Sequence, residues 1–314
     1  MLMALGIARI AMAGSAYDEV LTPPTYTRQE CEAQQNTVWA EAAWQENGPN
    51  GVEDRQASAC LRYYPSSGAE GAPTALIFID GDLNTNADVD ASNYELQKNV
   101  MDKIPDRIAD QAGMPTIILT RPGTFGSSGM SHIHDRRMPI ESHLVDAAVT
   151  QLKERYGYRR ISLEGHSGGG GLVGAMMTLG RDDIDCAVMS SGVTSIKTRS
   201  SHLDTPNSRQ GRDETGHDLG DVYDPIDHVD GIVPDANRRV FVLADPQDEL
   251  VSFDSQKEFH EKLLGIGVRS TMLTGQASDE HHHNLALIGQ RIAGWCESGK
   301  TEEEIRALLN PDNA

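Results

Sequence analysis

Ile161-Ser162-Leu163-Glu164-Gly165-His166-Ser167-Gly168-Gly169-Gly170-Gly171-Leu172-Val173-Gly174-Ala175-Met176-Met177 is the stretch whose reading decides the fold. A short apolar-rich run meets a serine between glycines, and a small-residue helical pattern follows at once. Gly165-x-Ser167-x-Gly169 fits a strained strand-to-helix turn that presents a nucleophile. Such a turn needs backbone room, because side chains flanking the serine would collide with the sheet or the helix. The helix then points its free N–H groups and positive dipole end at the reacting oxygen. A Gly/Ser linker or an anion-binding loop would use the same letters. What separates these readings is whether an acid and a histidine follow in order.

Outward from this turn, apolar runs alternate with helical patterns. Residues 74–79, 116–120, 186–190, 239–244 and 269–273 read as strands, and 60–64 as another. Helices are expected at about 91–112, along 140–156 from Ile140 to Tyr156, at 254–265 and at 285–298. This alternation predicts an α/β fold: a doubly wound, mostly parallel sheet with helices on both faces. The exception is 191–235, long, polar and rich in Ser, Asp and Gly, which reads as an irregular, lid-like insert after the strand at 186–190. Residues 1–59 read as an N-terminal extension with a short helix around 28–46 and turn signals at Asn47-Gly48-Pro49-Asn50-Gly51. The main domain spans 60–300, and 301–314 reads as a terminal helix and tail.

A serine hydroxyl is a poor nucleophile until an imidazole takes its proton, and the imidazole needs a carboxylate to fix its tautomer. After Ser167, Asp245-Pro246-Gln247-Asp248-Glu249-Leu250-Val251 follows a strand end, and His281-His282-His283 follows the last strand. All three lie beyond the carboxyl ends of strands, where sites in open parallel sheets gather. Three adjacent histidines point in different directions, which argues against a metal at that run.

These residues resemble the α/β-hydrolase superfamily, and within it the prolyl-oligopeptidase-like branch of peptidases and esterases, without the propeller domain. The resemblance spans about residues 60–300. It is carried by Gly165-His166-Ser167-Gly168-Gly169, by Tyr223-Asp224-Pro225-Ile226-Asp227-His228-Val229, and by Asp248 with Val251. It implies Ser167 as nucleophile and Asp248 as the acid, ahead of Asp245 and Glu249. It places the base at His283, which is followed by Asn284-Leu285, with His282 as the alternative. The oxyanion donors would be the backbone N–H groups of Gly168 and of Asp82, in the loop after 74–79. Relatives often carry His-Gly where this chain has Asp80-Gly81. A carboxylate facing the oxyanion would oppose it, so Asp80 is expected to turn away, towards Arg121. His132 and His134 read as exposed loop residues, and Arg121, Arg136 and Arg137 as partners of the many carboxylates. The implied activity is hydrolysis of an ester or amide through an acyl-serine, an ester being favoured because no paired-Glu motif for a peptide amine is recognisable. A peptidase and a non-catalytic binding protein of the same fold are the alternatives. No cofactor is implied.

Composition sets the outer limits. Lys and Arg number 27 against 47 Asp and Glu, a formal charge of −20. Nucleic acid and anionic membrane surfaces would be repelled, and no apolar run reaches the ~18–20 residues of a membrane helix. A small-molecule or peptide substrate is the expected partner. Residues 1–16 read either as a secretory signal lacking its basic start or as an N-terminus without fixed structure. Four cysteines, with export in view, favour bridges Cys31–Cys60 and Cys186–Cys296; four buried thiols are the alternative. The expected location is therefore secreted or periplasmic, with the cytoplasm as the alternative.

Overall fold

The computed structural model describes residues 26–48, 51–82, 101–129 and 135–309. His132, His134, residues 1–16 and the first part, 91–100, of the stretch read as a helix at 91–112 lie outside them; its described part is helical over Ile104–Ala112.

Eight strands form one sheet: β1 Thr37–Gly48, β2 Gly51–Pro65, β3 Leu76–Ile79, β4 Thr116–Leu119, β5 Ile161–His166, β6 Ile184–Ser190, β7 Arg239–Ala244 and β8 Ser270–Thr274. Their order across the sheet is β1-β2-β4-β3-β5-β6-β7-β8. From β4 to β8 every pairing is parallel; β1 with β2 and β2 with β4 are antiparallel. Eight helices accompany it among the described residues: α1 Arg28–Glu32, α2 Ile104–Ala112, α3 Pro139–Tyr156, α4 Gly168–Thr178, α5 Ile196–His202, α6 Phe253–Gly265, α7 Ala286–Glu297 and α8 Glu302–Leu309.

Central strands read as continuous apolar runs because both faces are covered. Along β7, Val240 and Val242 join the core beneath α3, α4 and α6, while Phe241 and Leu243 join the one beneath α2, α7 and α8. Strand β5 breaks the rule on one face only. Ile161 and Leu163 enter the first core, but Ser162 and Glu164 alternate with them, both fully buried. Room for Glu164 comes from α7: a Cβ on Gly289 would lie 2.5 Å from Glu164 Oε1. None of the helices among the described residues is long and apolar enough to cross a membrane.

The expected helix at 28–46 is a correction. Only Arg28–Glu32 is helical, closed by a capping box between Thr27 and Glu30. Residues 37–48 instead form β1, paired with β2 from Thr37↔Arg62 to Gly48↔Gly51. Val38, Ala40, Ala42 and Trp44 turn inward and Glu41, Ala43 and Gln45 outward, a period of two that α3 completes by packing across the strand. Strand β2 is also longer than the expected 60–64 and joins the extension to the main sheet. Both disulfides are formed. Cys31–Cys60 ties α1 to β2, and Cys186–Cys296 ties β6 to α7.

The insert follows β6 and is less irregular than its sequence suggests. It contains α5 and two 3-10 helices, Ser208–Gln210 and Pro225–Gly231. Asp224 holds it together: fully buried, it accepts the first N–H groups of α5, from Ile196 at 2.9 Å and Lys197 at 3.0 Å.

Candidate active site

Strand β5 ends at His166 and α4 begins at Gly168, so a single residue makes the whole turn. That residue is Ser167, with φ 54° and ψ −119°, a left-handed conformation that a non-glycine side chain adopts only under constraint. Its N–H donates to Ser190 O at 2.9 Å, and its carbonyl accepts from Gly171 at 3.2 Å and Val193 at 3.0 Å. Glycines let the turn close. A Cβ on Gly165 would strike the carbonyl of Gly169, and one on Gly169 the carbonyl of Ile79 in β3. As the first residue of α4, Gly168 has an N–H that the helix ladder leaves unused.

The three histidines separate, each towards a different carboxylate. His281 meets Glu249 at 3.1 Å on the surface, and His282, itself at φ 51°, lies 3.5 Å from Asp245. His283 alone is buried against its partner: Nδ1 donates to Asp248, 2.9 Å from Oδ2 and 3.1 Å from Oδ1. Asp248 Oδ1 also accepts from Leu250 and Val251, both at 2.9 Å, so the carboxylate is fixed by its own loop. With Nδ1 committed as donor, Nε2 of the neutral ring is the free acceptor. Asp245 is occupied elsewhere, accepting the N–H groups of Gln247 and Ala277.

Strand β5 and the 281–283 run meet at His166. Its Nε2 donates to the carbonyl of His283 at 3.2 Å, and the two rings lie 4.9 Å apart. Burial lowers the pKa of His166, and the adjoining His283 lowers it further. Ser167 Oγ has no hydrogen-bond partner among the described residues, so the sequence-predicted serine and histidine sit at one rim without a direct bond.

Asp82 lies beside the turn. A Cβ on Gly168 would collide with its carboxylate and would lie 2.9 Å from Arg121 Nη1. Three guanidinium groups face Asp82: Arg121 at 2.5 Å, Arg137 at 3.0 Å and Arg136 at 3.6 Å. Burial would raise its pKa, but these charges hold it well below the usual carboxylate range. Here the expectation for Asp80 needs correcting. Arg121 engages Asp82 and Glu141, not Asp80. Asp80 is exposed and accepts from the N–H of Gly81 at 2.8 Å. A buried cation has more to gain from two enclosed carboxylates than from one already solvated. The expected pairing of Arg121, Arg136 and Arg137 with carboxylates is what the structure contains. It extends into the insert, where Glu214 bonds Arg137 and lies 2.5 Å from Arg199.

Several polar residues here had no place in the sequence reading. Glu164 is fully buried, and burial drives its carboxyl well above the usual range. Ser190 Oγ lies 2.5 Å from Glu164 Oε1 and 3.2 Å from Gly165 O. Ser190 has one hydroxyl proton, so it donates to only one of these two oxygens at a time. The available signal was Ser162, Glu164 and His166 alternating along an otherwise apolar strand. His166, Ser190 and Ser191 became recognisable only through their partners.

No family model matches the chain, and no curated protein matches it by sequence. Solved structures do. An esterase of Pyrococcus furiosus is similar over 89% of this chain and 97% of its own, at 12% identity and a TM-score of 0.51. Prolyl oligopeptidase B of Galerina marginata is similar over 84% of this chain, at 14% identity and a TM-score of 0.52. This chain spans only 36% of that larger protein.

Proposed function

We propose that this chain, which has the α/β-hydrolase fold, is a serine hydrolase that cleaves a carboxylic ester or amide. One observation carries the reading: a buried His283–Asp248 pair at 2.9 Å beside a strained turn that presents Ser167. Ser167 Oγ attacks the substrate carbonyl carbon while Nε2 of His283 takes its proton. The carbonyl π pair moves onto oxygen, and the N–H groups of Gly168 and Asp82 receive the charge. Collapse expels the alcohol or amine, which takes the proton from His283, and leaves an acyl-serine. Water, activated by the same imidazole, repeats the sequence and frees the acid. Asp248 holds Nδ1–H throughout and so stabilises the imidazolium. The missing bond between Ser167 Oγ and His283 forms on substrate binding, as catalytic hydrogen bonds commonly tighten only in the complex. The three arginines facing Asp82 cancel a carboxylate that would otherwise oppose the oxyanion.

An ester is the favoured substrate and secretion the favoured location, the latter supported by the two disulfides. The resemblance in fold to the catalytic part of a prolyl oligopeptidase keeps a peptide amide as the second reading. A fluorophosphonate probe should label the wild type, and Ser167→Ala should abolish labelling. Equal labelling of both proteins, or none of the wild type, would remove the enzyme reading in favour of a binding protein. Rates on matched p-nitrophenyl esters and aminoacyl anilides then separate esterase from peptidase.

A further inference from the structure

We propose that His166 is a positioning residue that holds the His283 imidazole in register through the main chain rather than through the ring. The inference rests on the role just proposed for His283, and it goes beyond the three-residue apparatus.

The loop from 275 to 285 connects β8 to α7 and has no regular structure of its own. Its near end is held by Asp279, whose carboxylate accepts the N–H groups of His283 at 3.1 Å and Asn284 at 2.7 Å. Gly275 and Ala277 tie the loop's start to Ala244 and Asp245 at the end of β7, and the carbonyl of His283 attaches its far end. That oxygen accepts from Ser191 Oγ at 2.6 Å, His166 Nε2 at 3.2 Å and, locally, the N–H of Leu285 at 3.0 Å. Ser191 follows β6 and is fully buried; His166 ends β5 and immediately precedes Ser167. The two donors outside the loop therefore come from neighbouring parallel strands, one of them covalently joined to the nucleophile. Movement of the turn is transmitted to His283 with a single residue between them. Asp248 then sets the ring's rotation, and the clamp sets where the ring starts from.

The clamp requires the tautomer with the proton on Nε2, leaving Nδ1 bare. Gly81 faces that Nδ1, and a Cβ there would lie 3.2 Å from it. Asp80 and Asp248 favour a second proton on His166, while burial and His283 disfavour it, and the balance lies towards the neutral ring. A neutral clamp matters because a second imidazolium 4.9 Å away would oppose the positive charge His283 must carry in the transition state.

The test compares His166→Phe, which keeps a ring and loses the donor, with His166→Gln, whose amide places an N–H near the position of Nε2. Two measurements are made on full-length protein. The first is the proton resonance of His283 Nδ1–H, assigned by its loss in His283→Gln. The second is kcat and KM on a p-nitrophenyl ester. His166→Phe should broaden or abolish the resonance and lower kcat about 10- to 100-fold with KM within about twofold. His166→Gln should restore both. Ser191→Ala, which removes the other donor, should weaken the same resonance, and it serves should His166→Phe not fold. An intact resonance and unchanged kcat in His166→Phe would overturn the clamp. So would equal damage in the Phe and Gln variants, which would assign the effect to ring shape. The resonance needs no substrate, so a wild type that fails to react with fluorophosphonate refutes the hydrolase reading alone, and the resonance still decides the clamp.

Discussion

Asp248, Asp245 and Glu249 lie within five residues of one another, and so do their partners His283, His282 and His281. Chemistry alone does not rank the three pairs; burial does. The Asp248–His283 pair is enclosed, and Asp248 also accepts two backbone N–H groups, so its charge stays localised and oriented. Glu249 and His281 lie in solvent, where such a pair contributes little. Asp248→Asn should therefore lower kcat about 10³-fold or more, because an amide cannot hold the same tautomer. His282→Gln should leave kcat within about twofold. Steady-state rates on one ester substrate check both, and a larger effect at His282 would reverse the assignment.

At the scale of elements, the site depends on how closely α4 and α7 approach the sheet. Gly169 lets α4 begin directly against β3, and Gly289 lets α7 pass over the Glu164–Ser190 contact. Gly169→Ala puts a methyl on a main-chain carbonyl that cannot move without shifting the turn. It should destabilise the protein by about 1–3 kcal/mol and slow fluorophosphonate labelling more than the stability loss explains. Urea unfolding and labelling rates read the two effects separately. β1 shows how an element can be misjudged. Its alternation was present in the sequence, but Ala, Glu and Gln are good helix formers and only the pairing with β2 outweighs them.

Over the whole molecule, the insert is fastened by apolar contacts, Val229 and Ile232 joining the main core, and by buried charges at the rim beside Ser167. Glu214 of the insert bonds Arg137, which bonds Asp82 beside Gly168. Burial pushes the Glu214 carboxyl up, but Arg137 and Arg199 outweigh this and bring its pKa down to about 2. The unfolded chain, with an ordinary value near 4.5, then binds more protons in this window. Stabilisation from Glu214 is complete above about pH 4.5 and is lost as the pH falls towards about 2, up to about 3 kcal/mol in all. Urea unfolding at pH 6, 4 and 3 should show this loss, with a smaller slope in Glu214→Gln. Hydrogen exchange should increase first within 196–232 as the pH falls. An equal slope in the variant would show that the fastening carries no free energy.

Local chemistry determined much of this protein. The glycines around Ser167 dictate a sharp turn, apolar runs dictate buried parallel strands, and the order of serine, acid and histidine dictates which residues can meet at one rim. Those features depend on neighbours along the chain or on a period, and both are written in the letters. The tertiary structure decided which histidine faces which carboxylate, that Arg121 goes to Asp82 and not to Asp80, and that His166 meets the carbonyl of His283. Each of these is a choice among chemically similar partners far apart in sequence, and only burial, which depends on the whole packed fold, makes them unequal.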